Sequence, residues 1–183
     1  MHGARQTYRH GNVRAEAIAA AHDLVVAEGE ARLSLRRVAE KVGVAHRSLY
    51  NHFADRDALL DAVAERGFIA LAVPLRAAAT PAEFVRAYAA FALANPHLYT
   101  VMKSRPHATM KHRPDLQQAV HLGITEALRL FGRPDHTSAQ NRRAVMKVLM
   151  LLHGGLDMHV GGILDVPGDE GLIAELQAMV ASG

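Results

Sequence analysis

The stretch Ser34–Leu60, SLRRVAEKVGVAHRSLYNHFADRDALL, holds two short helical patterns joined at a glycine. Ser34 is a good helix start, because its hydroxyl can accept one of the N–H groups that a first turn leaves unpaired. Val38, Ala39 and Val42 then recur at helical spacing and make a buried face, while Arg36, Arg37, Glu40 and Lys41 lie toward solvent. Gly43 can take the left-handed conformation that ends a helix sharply and lets the next leave at a steep angle, as a helix-turn-helix requires. Val44 plugs the joint, and Leu49 and Phe53 anchor a third helix over roughly 45 to 53. His46, Arg47, Ser48, Tyr50, Asn51 and His52 are left to project outward.

That third helix carries no acid between Ala45 and Phe53, so nothing on it repels phosphate. Its outward side chains are hydrogen-bond donors and acceptors on a rod that fits a major groove. A merely solvated hairpin would more often carry Glu and Lys. Charge agrees in sign. Of the 183 residues, Met1 to Arg56 hold nine basic against six acidic side chains, so the whole formal net charge of +3 sits in the first third.

Working outward, the composition is that of a globular helical chain: 50% hydrophobic, 21% charged and only 5% aromatic, with alanine prominent. The absence of cysteine excludes disulfides and thiolate metal sites. The first residues, MHGARQTYRHGNV, contain no apolar signal core, which favours a cytoplasmic protein. The most apolar later run is interrupted by Lys147, His153, Asp157 and His159 and reads as a buried helix, so no membrane is expected. A first helix is expected from about 12 to 28, with Ile18, Ala21, Leu24 and Val25 on its buried stripe. The second ends at Gly43, and a fourth runs from Asp55, its cap, to about Leu71. Seven prolines then mark boundaries, Pro74 among them, with helices at about 81–94, 96–104, 114–131, 138–160 and 169–181. The fold class is therefore all-α with about nine helices, divided at 1–55 and 56–183.

The motif Ser34, Ala39 with Gly43 and Val44, Leu49-Tyr50-Asn51-His52-Phe53, and Arg56 with Leu59 and Leu60 resembles the DNA-binding segment of the TetR family of transcriptional regulators. The resemblance covers about 50 residues, including the first helix; the other two thirds agree with the family in size and helical character. It implies a three-helix DNA-binding domain followed by a helical ligand-binding and dimerisation domain. Carried over position by position, it makes His46, Arg47, Ser48 and Asn51 candidates for base edges, and Tyr50, His52, Arg56 and Arg36 candidates for phosphate. Arg47 can donate bidentately to guanine. Arg5 and Arg9 either add phosphate or minor-groove contacts or belong to a free tail. Ala45 departs from the pattern, since many members place a capping Ser or Thr there; its loss costs about 1 kcal/mol.

In the remainder, Phe91, Leu98, Met102 and Met110, with Met150 and His153 further on, offer apolar wall with a few polar handles, either a small-molecule pocket or a solid core. The helix NRRAVMKVLMLLHGGLDMHVGGIL is apolar on more than one side and needs two partners. The resemblance implies a homodimer through the last two helices, with Gly154, Gly155, Gly161 and Gly162 permitting close approach. PHLYTVM and HGGL also resemble one TetR subgroup with a His-Gly pair in this helix, although its usual tryptophan is missing. The histidine spacings do not suit zinc, and no nucleophile elbow, phosphate loop or triad is present. Neither metal, cofactor nor enzymatic activity is expected. The expected function is a repressor released from a palindromic operator by an apolar or amphipathic effector of unknown identity. An activator, a regulator without a small ligand, and a helical binding protein or enzyme that does not touch DNA stand as alternatives.

Overall fold

The structure is a computed structural model and describes residues 12–182. Among these, nine α-helices and two short 3-10 segments form two compact units, one up to Val63 and one from Ala64 onward, with no strand.

The first unit contains α1 (Val13–Glu28), a 3-10 turn (Glu30–Arg32), α2 (Leu35–Val42) and α3 (His46–Leu49). On α1 the buried stripe is Ala17, Ala20, Ala21, Leu24 and Val25, with Ile18 only half-buried. These small side chains let α2 pack closely, presenting Leu35, Val38 and Ala39. Ser34 caps α2 as the sequence implies, its Oγ accepting the Arg37 N–H at 3.2 Å. At the other end Gly43 sits at φ 78°, ψ 30°, and its N–H and that of Val44 both donate to Ala39 O, at 2.9 and 3.0 Å. This turn sends α3 off at an angle. Arg37 also straps α2 to α1, with two bonds to the Glu28 carboxylate at 2.8 and 3.0 Å and one to Arg32 O.

Two boundaries differ from the sequence expectation. Helix α3 is four residues long, and the chain from Tyr50 to Phe53 continues as turns, with the His52 and Phe53 N–H groups both donating to Leu49 O at 2.9 Å. Ala45 provides no side-chain cap, so the short helix starts without one of the bonds that stabilise a first turn. Helix α4 (Arg56–Ala77) starts at the Asp55 cap but runs straight through Pro74 instead of ending near Leu71. Losing one backbone bond at a proline is tolerated because Leu71, Ala72 and Leu75 are buried on the same face. The end of the helix is secured from outside: Arg129 donates to Ala78 O at 2.8 Å and to Leu75 O at 3.5 Å, itself held by Glu126 at 2.7 Å.

The second unit takes in the rest of α4, then α5 (Pro81–Ala94), α6 (Pro96–Lys103), a 3-10 segment (His107–His112), α7 (Pro114–Phe131), α8 (Ser138–Val160) and α9 (Gly168–Ala181). Proline opens α5, α6 and α7, where its missing N–H costs nothing. Thr137 and Gln140 form a reciprocal capping box on α8. Helix α5 lies against α8 and α9, and α7 against α8. A Cβ at Gly155 would stand 2.8 Å from Leu176 Cδ2, so this glycine serves α8–α9 packing within the chain, whereas Gly154 has nothing within 4 Å.

Because Gly43 is left-handed with open space around it, substitution there tests backbone strain alone. Gly43→Ala is expected to cost about 1 kcal/mol and Gly43→Asn less, since Asn tolerates this region. Thermal unfolding followed by circular dichroism reads the difference; equal stability of all three proteins would contradict the turn geometry.

Candidate nucleic-acid interface and central cavity

In the first unit, the turn at Gly43 and the buried anchors Leu49 and Phe53, the latter 3% exposed, leave one surface to α3 and the turn after it. His46, Arg47, Tyr50, Asn51 and His52 are exposed and Ser48 is half-buried. The structure thus brings all six onto a continuous segment. The His46 and Tyr50 rings meet edge to face, centroids 5.1 Å apart, which restrains both. Arg47 makes no ion pair among the described residues and is available to an incoming acceptor.

The flanking cations are not equally available. Arg36 pairs with Glu40 one turn on, at 2.9 Å and fully in solvent, a contact of little worth that a phosphate can displace. Arg37 and Lys41 reach back to Glu28 and Asp23 on α1. The Arg37 guanidinium beside Glu28 holds that carboxyl below its usual range. Arg56 donates to Leu33 O at 3.0 Å and to Glu30 O, so it ties the start of α4 to the chain between α1 and α2. Its placement at the head of α4 is as the motif implies, but part of its donor set is already in use. Arg5 and Arg9 lie outside the described residues.

The second unit encloses a cavity of about 410 Å³. Five helices line it, each with side chains one turn apart: Leu71 and Leu75 on α4, Phe84 and Tyr88 on α5, Tyr99 and Lys103 on α6, Val120 and Ile124 on α7, Leu149 and His153 on α8. Phe68, Met102 and Gly123 complete the wall. Most of this lining is apolar, and the polar groups converge at one end. Tyr99 Oη lies 2.7 Å from His153 Nδ1, and Tyr88 Oη lies 3.3 Å from Nε2. The Tyr99 and His153 rings stack at 5.7 Å. Lys103 pairs with Asp157 and stands 5.7 Å from the centre of the Tyr99 ring. Burial pushes the Tyr88 phenol up to about 12, against a smaller opposing pull from its hydrogen bond with Tyr99. Tyr99 is driven well above the ordinary phenol range, first by burial, then by Tyr88 and by the Asp157 charge.

Of the six sequence candidates for a pocket, Met102 and His153 line this cavity. The other four lie elsewhere. Phe91 is half-buried on α5, Leu98 packs against α4 near Gly67, and Met110 is buried in the 3-10 segment. Met150, one residue past Leu149 and so about 100° round the helix, is 69% exposed and borders an open groove between α7 and α8. Most of the wall lies outside the sequence candidates, although its i,i+4 pairs are visible in the sequence, Phe84 with Tyr88 above all. Among the described residues no three metal-capable side chains converge, and no helix is long and apolar enough to cross a membrane.

A helix-turn-helix followed by a helical unit of this kind defines a DNA-binding regulator of transcription. The family model "Bacterial regulatory proteins, tetR family" matches residues 17–63, and the model "Tetracyclin repressor-like, C-terminal domain" matches residues 82–181, more than half of the chain. The chain belongs to the TetR family. Among solved structures it resembles a protein of unknown function from Rhodococcus sp. RHA1, at 30% identity over 97% of this chain and 98% of that one, with a TM-score of 0.74. A TetR transcriptional regulator from the same organism shares 21% identity over 92% and 95% of the two chains, with a TM-score of 0.65. A TetR family protein from Vibrio parahaemolyticus shares 19% over 91% and 97%, with a TM-score of 0.58. The last two likenesses are of fold. No curated protein is similar enough to match.

The raised Tyr88 phenol has a consequence at high pH. Below the unfolded value near 10 both states hold the proton; above it the unfolded chain loses the proton while the folded one keeps it, so stability falls from about pH 10 through about 12. Denaturant unfolding should show that Tyr88→Phe loses on the order of 1 kcal/mol less than wild type between about pH 8 and 11. Identical losses would contradict the burial of this hydroxyl.

Proposed function

We propose that this regulator is a homodimeric repressor that leaves a palindromic operator when a small molecule occupies the cavity of its second unit. The observation that carries the reading is the cavity itself, walled by five helices of which one, α4, continues from the helix-turn-helix unit. A ligand that fits one arrangement of these helices better than another shifts the population by that difference in affinity. Helix α4 is the natural lever. The protein acts in the cytoplasm as a binding protein and not as an enzyme.

In this reading His46, Arg47, Ser48 and Asn51 address base edges, while Tyr50, His52, Arg36 and Arg56 address phosphates. The two copies join through α8 and α9, which leave Met146, Met150 and Met158 on α8 and Met179 on α9 exposed, with Gly154 open on the same side of α8 as Met150. Such a dimer holds its two recognition segments about one DNA turn apart, or a little more.

Arg47→Ala is expected to relax the preference at one base pair of each half-site. Arg56→Ala is expected to weaken all sequences alike and also to lower the melting temperature, because two of its five donors hold the Glu30–Leu33 carbonyls. Selection from randomised duplexes, repeated with each variant, measures both. Unchanged preference in Arg47→Ala would remove its assignment to base reading.

A further inference from the structure

Arg14, in the first turn of α1, is a cation beside the recognition segment to which the motif gives no role. Its guanidinium lies over the ring of Phe53, 5.8 Å from the centroid, within the range of a cation–π contact. Phe53 follows His52 directly and is 3% exposed, so a buried ring fixes the place of an exposed charge. Helix α1 also packs against α3, and Arg14 and the segment belong to one compact unit.

The ring occupies one face of the guanidinium and none of its N–H groups, which point outward in the plane. Among the described residues Arg14 is in no ion pair. Glu16, the acid of the same turn, lies about 200° round the helix. Asp55, two residues beyond Phe53, accepts the Ala58 N–H at 2.8 Å and caps α4. The other cations near the segment are engaged: Arg37 and Lys41 with Glu28 and Asp23, Arg36 with Glu40, and Arg56 with Leu33 O and Glu30 O. Arg14 is held in place by a contact that uses none of its donors.

The acceptor follows from the position. A segment lying in the major groove meets base edges with its middle, and what flanks it meets the phosphate ridges. Arg14 comes from another helix and touches the segment at its last residue, which puts it on that flank. A planar fork without a competing carboxylate suits phosphate oxygens.

We propose that Arg14 anchors the DNA backbone: seated on the Phe53 ring, it donates to a phosphate at the edge of each half-site and reads no base. The inference rests on the assignment of the His46–His52 segment to DNA made above. Anisotropy titrations of the full chain on a duplex selected by the wild-type protein, repeated across salt concentrations, test it. Arg14→Gln keeps a planar head and loses the charge. It should bind about tenfold more weakly at ~0.1 M salt, with log K against log salt shallower by about one for each copy of the chain on the duplex. Arg14→Lys should restore the slope, and both variants should select the wild-type sequence, since phosphates carry none. Arg14→Ala gives the same reading should the Gln variant fold poorly, alanine being the best helix former. Neutral methylphosphonates placed singly along the duplex should include a position that weakens wild type and leaves Arg14→Gln unaffected.

A residue that only covers Phe53 would lower the melting temperature and leave the salt slope as in wild type; that result overturns the proposal, as does an altered base preference. Arg47→Ala, measured alongside, separates this inference from the reading beneath it. Relaxed preference in Arg47→Ala with an unchanged slope in Arg14→Gln removes Arg14 alone. A shallower slope in Arg14→Gln with unchanged preference in Arg47→Ala removes the base-reading assignment and keeps Arg14 on phosphate.

Discussion

Gly67 of α4 leaves room for the Met102 and Leu98 side chains of α6 to lie against its backbone. A Cβ built there would lie 2.7 Å from Met102 Sδ, 3.0 Å from its Cγ and 3.2 Å from Leu98 Cδ1. Gly67 is in the interior of a long helix, where glycine is unfavourable by roughly 1 kcal/mol relative to alanine, so the site gives up helix propensity for proximity. Met102 also forms part of the cavity wall. One methionine therefore touches the space a ligand would fill and the helix that continues from the helix-turn-helix. The flexible thioether can move in response to a ligand.

The polar part of the wall is held for a different reason. Tyr88, Tyr99 and His153 come from α5, α6 and α8; the two tyrosines are buried and the imidazole is half-buried. Breaking either bond strands a buried phenol hydroxyl at a cost of roughly 1–3 kcal/mol, so the two hydroxyl–imidazole contacts help to hold these helices in register. Arg129 does similar service at the end of α4, by donating to the Leu75 and Ala78 carbonyls beyond Pro74. The cavity wall thus combines paired polar groups with a close contact at Gly67.

The helix-turn-helix was legible because its determinants are local. Ser34, Gly43 and Asp55 act on backbone groups a few residues away, and all three do what their positions imply. Helix α3 is shorter than its pattern implies, and Ala45 gives it no side-chain cap. Pro74 misled because packing decides there: the apolar face of α4 and the Arg129 cap outweigh one missing N–H. The cavity was legible only in outline. Met102 and His153 stood in apolar stretches with polar neighbours, but that Leu149 faces inward while Met150 faces out depends on how α7 and α8 meet, and periodicity alone is silent on which of two apolar faces is covered by the same chain. Tyr88, buried like Tyr99, sat unremarked in an alanine-rich helix.

The account stands on coupling between the cavity wall and α4, and Gly67→Ala tests it most directly. The added methyl must displace Met102 as a ligand would, with no ligand present. Measured by anisotropy on a duplex selected by the wild-type protein, the variant's affinity is predicted to change by about tenfold with its helical content intact. A folded variant that binds the duplex as wild type does would contradict the coupling.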